Sequence, residues 1–375
     1  MIKINFFGDF KVNNPDKVVL SDDLLKELAS SSLNIINFEA PIYREGQKPI
    51  AKSGPNIFQN KESAKFLEEN GFNVISLANN HLMDYGEDGL KSTLNSFKKA
   101  HTIGAGDWEK AYTPYIYEIN GIKIAILSLT QREFGALDDN KQCYGTAWML
   151  HHSIDNIISS TKQKVNFVFI YVHAGIEDEF YPLPELRSLY KHFIDMGADG
   201  VIASHPHTPQ GWEKYKDKMI FYSLGNFCFQ TKDYSNKYWN NSLLVSFEII
   251  NNKLDYKITY IYYDILTSVI EIAKQENFNK HIEKINSVLA DNDKYISEVN
   301  LYCNRLSKFY IWTMQSTGLF RSSIKIHLKG IINIIFKRKY HTTNIHLLNT
   351  LRCEVHNWCF TRYLNNQITN INKTE

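Results

Sequence analysis

The chain of 375 residues has nine prolines and none after Pro209, and beyond residue 264 it has only two glycines, Gly318 and Gly330. So long a stretch without backbone breakers excludes a turn-dense β domain there and predicts helices. Cysteine is also sparse. The five thiols are odd in number and show neither a CxxC pair nor zinc-ribbon spacing, which argues against a disulfide framework and for a reducing compartment. No apolar run approaches the ~18 residues of a spanning helix. The nearest is GIINIIF at 330–336, and the opening MIKINFFGDF reads as a strand instead of a secretion leader. These features predict a cytoplasmic protein, at most peripheral to a membrane. An excess of one charge is missing too: 42 Lys and Arg against 40 Asp and Glu leave +2, which names no partner.

The distribution of charge says more than its sum. From Leu301 onward there are eleven basic residues and two acidic ones, Glu354 and Glu375, so the C-terminal segment is strongly positive and the remainder net acidic. Within LFRSSIKIHLKGIINIIFKRKY, Phe320, Ile324, Leu328, Ile331 and Ile335 recur at helical spacing, with Arg321, Lys325 and Lys329 off that row and Lys337, Arg338 and Lys339 at the end. Such a helix suits an anionic membrane, an anionic polymer or a polymer-synthase partner, or packs its apolar face on the main body with its lysines in water. No nucleic-acid-binding motif is present, and none is expected as a partner.

Up to about Tyr263, short β-branched and aromatic runs alternate with amphipathic stretches, which predicts an α/β fold. Strands are expected at 2–8, 33–38, 73–78, 114–119, 122–129, 165–172, 199–203, 219–223, 242–249 and 254–262, and helices at 21–31, 61–70, 86–99 and 183–196. The last two strands flank an NNK turn, so the sheet is expected to be mixed. The division of the chain is set at 1–264 for the main domain and 265–375 for a basic, mainly helical region.

Polar residues fall at the ends of five of these strands. Asp9 ends the first, Glu39 the second in IINFEAP, Asn80 and His81 follow the third in ISLANNH, His173 ends FVFIYVHAG, and His205 and His207 follow GADGVIAS. In α/β sheets, sites gather beyond the carboxyl ends of the strands. A lone strand-end histidine is ordinarily a hydrogen-bonded structural residue, the reading given to His101, His192 and His281. Five strand ends in register are a different matter. Two carboxylates, an amide and several imidazoles suit one or two Mn, Fe or Zn ions in a site open to water and substrate. Two such ions about 3.5–4 Å apart share a bridging carboxylate and bring a bound water to a neutral-pH pKa, as ester hydrolysis requires.

The segments GDF at 8–10, NFEAPI at 37–42, ANNHLMDYGEDGL at 78–90, HAGIE at 173–177 and GADGVIASHPHTPQGWEKY through SLGNFCF resemble, in order, the CapA-type capsule and poly-gamma-glutamate synthesis proteins. That family is similar in fold to the calcineurin-like metallophosphoesterases. The resemblance implies a β-sandwich flanked by helices, α/β/β/α, with a dinuclear centre. It implies Asp9, Glu39 and His207 around one ion, and Glu39, Asn80, His173 and His205 around the other. His81 would be the acid or transition-state donor, with Asp84 orienting its ring. In two places the chain departs from the phosphoesterase pattern. Lys11 stands where that pattern has a histidine, which implies a weakened first site or a lysine turned toward an anionic substrate. Glu39 replaces an aspartate, lengthening the bridge.

Glu177, Gln210, Glu213 and Asn226 lie near these motifs as further substrate-side candidates. The expected function is a metal-dependent, phosphoesterase-like hydrolase acting on an anionic polymer or ester in capsule or poly-gamma-glutamate-type biosynthesis. The alternative is a non-catalytic assembly or export partner of a polymer synthase that uses the cleft for binding.

Overall fold

The computed structural model describes residues 1–138, 143–231, 236–273, 275–316 and 340–371. Two mixed sheets, of nine and six strands among the described residues, and a small three-stranded one frame the first 272 residues. The larger runs Val19–Leu20, Val269–Ile272, Lys253–Asp264, Asn241–Ile250, Ile2–Lys11, Leu33–Phe38, Val74–Ser76, His101–Ile103. Asn226–Phe229 pairs in parallel with the far end of Ile2–Lys11. The smaller runs Pro209–Tyr215, Lys218–Leu224, Gly200–Ser204, Phe167–His173, Ile122–Thr130, Tyr115–Ile119. In the smaller sheet the middle is parallel and antiparallel pairs close both edges. In the larger, Ile2–Lys11 through His101–Ile103 run parallel, and Ile2–Lys11, Asn241–Ile250, Lys253–Asp264 and Val269–Ile272 pair antiparallel.

Strand alternation builds the layers. Ile2, Ile4 and Phe6 point between the sheets, where Phe6 meets Phe169 at 5.5 Å and Phe247 edge-on at 5.9 Å. Phe7 and Phe10 point the other way, into a second core with Leu24, Leu28, Ala64, Leu67 and Leu90 from the helices Asp22–Ala29, Lys61–Glu69 and Gly86–Leu94. Ile154–Lys162 and Pro184–Asp195 bring Ile158, Leu186, Tyr190 and Phe193 to the smaller sheet. The result is the α/β/β/α sandwich that the resemblance implies. Local signals agree with it: Ser21 accepts the Leu24 N–H as an N-cap, and Pro184 occupies the first turn of its helix.

The predicted change to helix at 265 comes later, at Glu276. Val269–Ile272 is a strand pairing with Lys253–Asp264 and Val19–Leu20, because its β-branched residues fill the sheet edge and bury Ile270. The strand Pro209–Tyr215, which its proline, glycine and charges disguise as loop, lies on the sheet edge where such residues are tolerated. Helices Glu276–Ala290, Asn292–Ser316, Tyr340–Arg352 and Glu354–Ile371 follow. They join the core of the smaller sheet through Phe278, Ile282, Ile285 and Leu289, and Tyr295 donates to the Pro182 carbonyl at 2.9 Å. The basic helix expected at 320–335, and Lys337 to Lys339 after it, lie outside the described residues. No described helix is long and apolar enough to cross a membrane.

Candidate metal centre

The backbone at the carboxyl ends of these strands is built for close approach. Gly8 precedes Asp9 on the first strand, and a Cβ there would stand 1.8 Å from the Gly225 carbonyl oxygen, so only glycine admits this packing. Asp9 N–H donates to that same carbonyl at 2.9 Å, and the parallel register shifts between Asp9 and Phe10. Glu39 leaves the neighbouring strand with its N–H on the Phe10 carbonyl, and Ala40 after it has φ of 106°. His205 and His207 also lie at positive φ, 102° and 57°. Side chains in that region cost on the order of 1–3 kcal/mol each, a strain that gathers at functional sites.

These turns bring the strand-end residues together. Asp9, Glu39 and His207 offer ligand atoms within 4.8 Å of one another, as do Glu39, His173 and His205, so Glu39 is common to both groups. His207 Nε2 is 3.6 Å and His173 Nε2 3.8 Å from Glu39 Oε1. His173 Nε2 is also 3.1 Å from Asn80 Oδ1 and 3.0 Å from His205 Nδ1. Asp9 is fixed by Asn37 Nδ2 at 2.7 Å and by the His205 backbone N–H at 3.1 Å.

Burial decides the electrostatics. Glu39 is fully buried, and neither carboxylate oxygen has a hydrogen-bond partner. Its surroundings, first by desolvation and then by the charges of Asp9 and Glu177, push its pKa well above the ordinary value. Burial also raises Asp9, but the hydrogen bond and charge of His173, with His207, outweigh it and hold that carboxyl low. Burial and the neighbouring His173 and His207 keep His205 well below the usual histidine range, hence neutral, the form that ligates cations. A buried carboxylate with both oxygens orphaned among imidazoles is costly alone and satisfied by cations. The residues therefore fit the divalent ions the sequence predicts.

Beside this group, His81 Nδ1 lies 2.7 Å from Asp84 Oδ2, the orienting contact expected of Asp84. Asp84 also accepts the Ile57 N–H at 2.7 Å and an ion pair from Lys52, whose Nζ is 3.0 Å from His81 Nδ1. Burial and then the Lys52 charge lower the His81 pKa against the pull of Asp84. A cavity of about 340 Å³ opens on the centre, lined by Asn80, His81, His205, Lys52 and Glu177, and by Leu306, Tyr310 and His356 from the C-terminal helices.

Four expected substrate-side residues are otherwise engaged. Lys11 is engaged elsewhere: its Nζ donates to Asn13 Oδ1 at 2.6 Å and the Gln230 carbonyl at 3.0 Å, and it does not line the cavity. Glu213 is paired with Arg187 and Lys191 on the sheet edge, and Gln210 donates to the Glu179 carbonyl at 2.8 Å. Asn226 holds His207 in place: its Oδ1 is 2.9 Å from His207 Nδ1. Of these substrate-side candidates, Glu177 alone lines the cavity. Sequence reasoning missed Lys52, Asn37 and Gln131. The last offers its Nε2 to His205 Nε2 at 3.1 Å and its Oε1 to the Gly175 N–H at 2.9 Å. Asn37, in IINFE, was legible as the inward neighbour of Glu39; Lys52 and Gln131 carried no pattern.

The chain resembles known proteins over much of its length. Residues 10–231 match the family model described as bacterial capsule synthesis protein PGA_cap, a span beginning directly after Asp9 and holding every other strand-end residue named above. The chain is 34% identical over 316 residues to the capsule biosynthesis protein CapA of Bacillus anthracis, covering 80% of this chain and 70% of that one. It is 34% identical over 197 residues, 52% of each chain, to the PGA biosynthesis protein CapA of Bacillus subtilis (strain 168). Among solved structures, a 5'-nucleotidase precursor from Thermus thermophilus overlaps 77% of this chain and 59% of that one at 12% identity, with a TM-score of 0.43. On the extent of the family match and the identity to both CapA proteins, the chain belongs to the bacterial capsule synthesis protein PGA_cap family.

Proposed function

We propose that this protein is a metal-dependent hydrolase that cleaves an ester or amide bond, a phosphoester foremost, during production or modification of an anionic cell-surface polymer. The observation that carries the proposal is Glu39, buried with two unpaired oxygens and common to two groups of ligand atoms. Asp9, Glu39 and His207 would hold one divalent ion and Glu39, Asn80, His173 and His205 a second, supplying a Lewis acid and a water of lowered pKa. The protein's own groups set up the rest. Asn226 orients His207, and Asn37 positions both Asp9 and the His173 ring, whose Nδ1 it meets at 3.1 Å. Asp84 and Lys52 occupy His81 Nδ1, leaving Nε2 as the ring's remaining polar atom in a residue that lines the cavity. With Nδ1–H on Asp84, that nitrogen would donate to the leaving group or to developing charge on the substrate from the doubly protonated ring, the form Asp84 favours and Lys52 disfavours. The polymer context rests on the names of the relatives, capsule biosynthesis and PGA biosynthesis.

The test is elemental mass spectrometry of chain purified without chelators, alongside His205→Ala/His207→Ala, with hydrolysis of p-nitrophenyl phosphomonoesters and diesters assayed on both. Transition metal together with hydrolysis, both lost in the double variant, supports the hydrolase. Bound metal without turnover of any ester or of poly-gamma-glutamate moves the reading to a non-catalytic partner of a polymer synthase.

A further inference from the structure

A second group of ligand atoms stands outside the Glu39 centre. Glu133, Cys353 and His356 place one oxygen, one sulfur and one nitrogen within 4.8 Å of one another. They come from distant parts of the chain. Glu133 follows the strand Ile122–Thr130, Cys353 sits between the helices Tyr340–Arg352 and Glu354–Ile371, and His356 lies in the first turn of the latter. The seam where they meet is already fastened: the Arg132 N–H donates to the Glu354 carboxylate at 3.1 Å, Trp148 Nε1 donates to it at 3.2 Å, and Arg352 reaches the Glu133 carbonyl. The ligand-bearing side chains are thus carried on backbone that is held from both sides.

The geometry points to a divalent cation site of the zinc or cobalt class at Glu133, Cys353 and His356, separate from the Glu39 centre and bound through a thiolate. The donor set is the first argument, since thiolate with imidazole and carboxylate selects borderline-soft ions over Mn and Mg. Spacing is the second. Tetrahedral zinc with bonds of 2.0–2.3 Å sets its ligands about 3.5 Å apart, so side-chain adjustments of about 1 Å complete the site. A third is orientation. His356 Nδ1 is 2.8 Å from the Tyr310 hydroxyl, the outer contact that leaves Nε2 for an ion. Glu133 and His356 both line the cavity that also reaches His205, so a fourth position opens to solvent, as in zinc sites with three protein ligands. Glu133 Oε1 is held by Gln131 Nε2 at 2.7 Å, and Gln131 in turn faces His205, which places occupancy of this site next to the ring edge of a residue of the main centre.

The Glu39 centre has no sulfur among its ligands, so thiolate spectroscopy separates the two. The full chain, stripped of metal and titrated with Co²⁺, should show a near-ultraviolet thiolate-to-cobalt charge-transfer band. Cys353→Ser and His356→Ala should each abolish the band and remove one equivalent of bound Co²⁺, whereas His205→Ala/His207→Ala should keep it. A native chain that binds Co²⁺ without the band overturns the site and needs no variant to fold. A band that survives Cys353→Ser overturns it as well. Loss of hydrolysis leaves this result untouched, and loss of the band leaves the reading of the Glu39 centre untouched.

Discussion

Asn226 Oδ1 lies 2.9 Å from His207 Nδ1, while the amide nitrogen of the same side chain donates to the carbonyls of His207 at 3.2 Å and Trp239 at 3.1 Å. The two carbonyls fix which end of the amide is oxygen, so His207 must donate from Nδ1 and keep its lone pair on Nε2, toward Glu39. Removing such an outer contact typically costs 10–100-fold in metal affinity. Asn226→Ala should weaken Mn²⁺ binding by about that factor in calorimetry, with unchanged circular dichroism. Unchanged affinity would mean that the rings of Phe229 and Trp239, 4.6 and 4.9 Å from His207, suffice to hold it.

Glu39→Gln should abolish metal binding and yet stabilise the metal-free chain at neutral pH. The carboxyl's folded pKa is raised above its unfolded value of 4.5, so its contribution to stability is present below that pH and is lost as pH rises toward the folded pKa. In chelator, the native chain should lose up to about 1.4 kcal/mol per pH unit relative to the variant above that point. Urea denaturation of both chains at pH 5 and 7.5 measures the difference, and a difference that does not grow with pH refutes the unpaired state of Glu39.

Lys52→Met should raise the pKa of His81. Burial and then the Lys52 charge depress it, and without the lysine only burial opposes the pull of Asp84. Two-dimensional NMR of the histidine ring protons against pH should show one resonance, absent from His81→Gln, moving its midpoint upward. A midpoint that stays put or falls would mean that the lysine acts on Asp84 alone.

The strand ends were legible because each polar residue follows an apolar run with the period of a buried strand. Glu39 after IINF and His173 after FVFIYV are placed by local pattern alone, and the sandwich brings them together. What the pattern missed is held by contacts remote in sequence or by loops without period. Asn226 was visible only as a substrate-side candidate, its hold on His207 hidden because that partner is 19 residues away, and Lys52 belongs to the segment 44–60, where nothing repeats. Lys11 looked like an obstacle because it stands where the phosphoesterase pattern has a histidine, two residues after Asp9. The register shift between Asp9 and Phe10 breaks the strand's alternation and aims the lysine at Asn13 and Gln230. Val269–Ile272 was lost in a helical segment because four residues are too few to show a period against their surroundings.

Gly8→Ala should cost several kcal/mol of stability, on the order of 2–4, because the Cβ meets a backbone carbonyl that cannot swing aside. The Gly225 carbonyl also accepts the Asp9 N–H, so relief of the clash moves Asp9. The expected result is a lowered melting temperature together with weakened metal binding. A variant with native melting temperature and metal content would show that the strand and the turn at Gly225 can separate at no cost.

Glu354 supplies a pH-dependent fastening between the C-terminal helices and the sandwich. Its carboxylate accepts the Arg132 and Trp148 N–H groups, but burial outweighs these contacts and lifts its pKa from 4.5 to about 7. Because the folded pKa is the higher one, the folded state binds the extra proton, and the contribution to stability is complete below pH 4.5 and lost as pH rises through about 7. Converted at 1.36 kcal/mol per unit, the full loss is about 3 kcal/mol. Glu354→Gln keeps the acceptor oxygen and removes the ionisation, so the metal-free variant should be less sensitive than the native chain to a change from pH 5 to pH 8. Hydrogen exchange along Glu354–Ile371 gives the local reading: protection in the native chain should fall with pH, beyond the intrinsic rate, more than in the variant. Equal pH dependence in the two chains would mean that Glu354 ionises in place without cost, and that the seam is held by Arg352 and the apolar contacts around it.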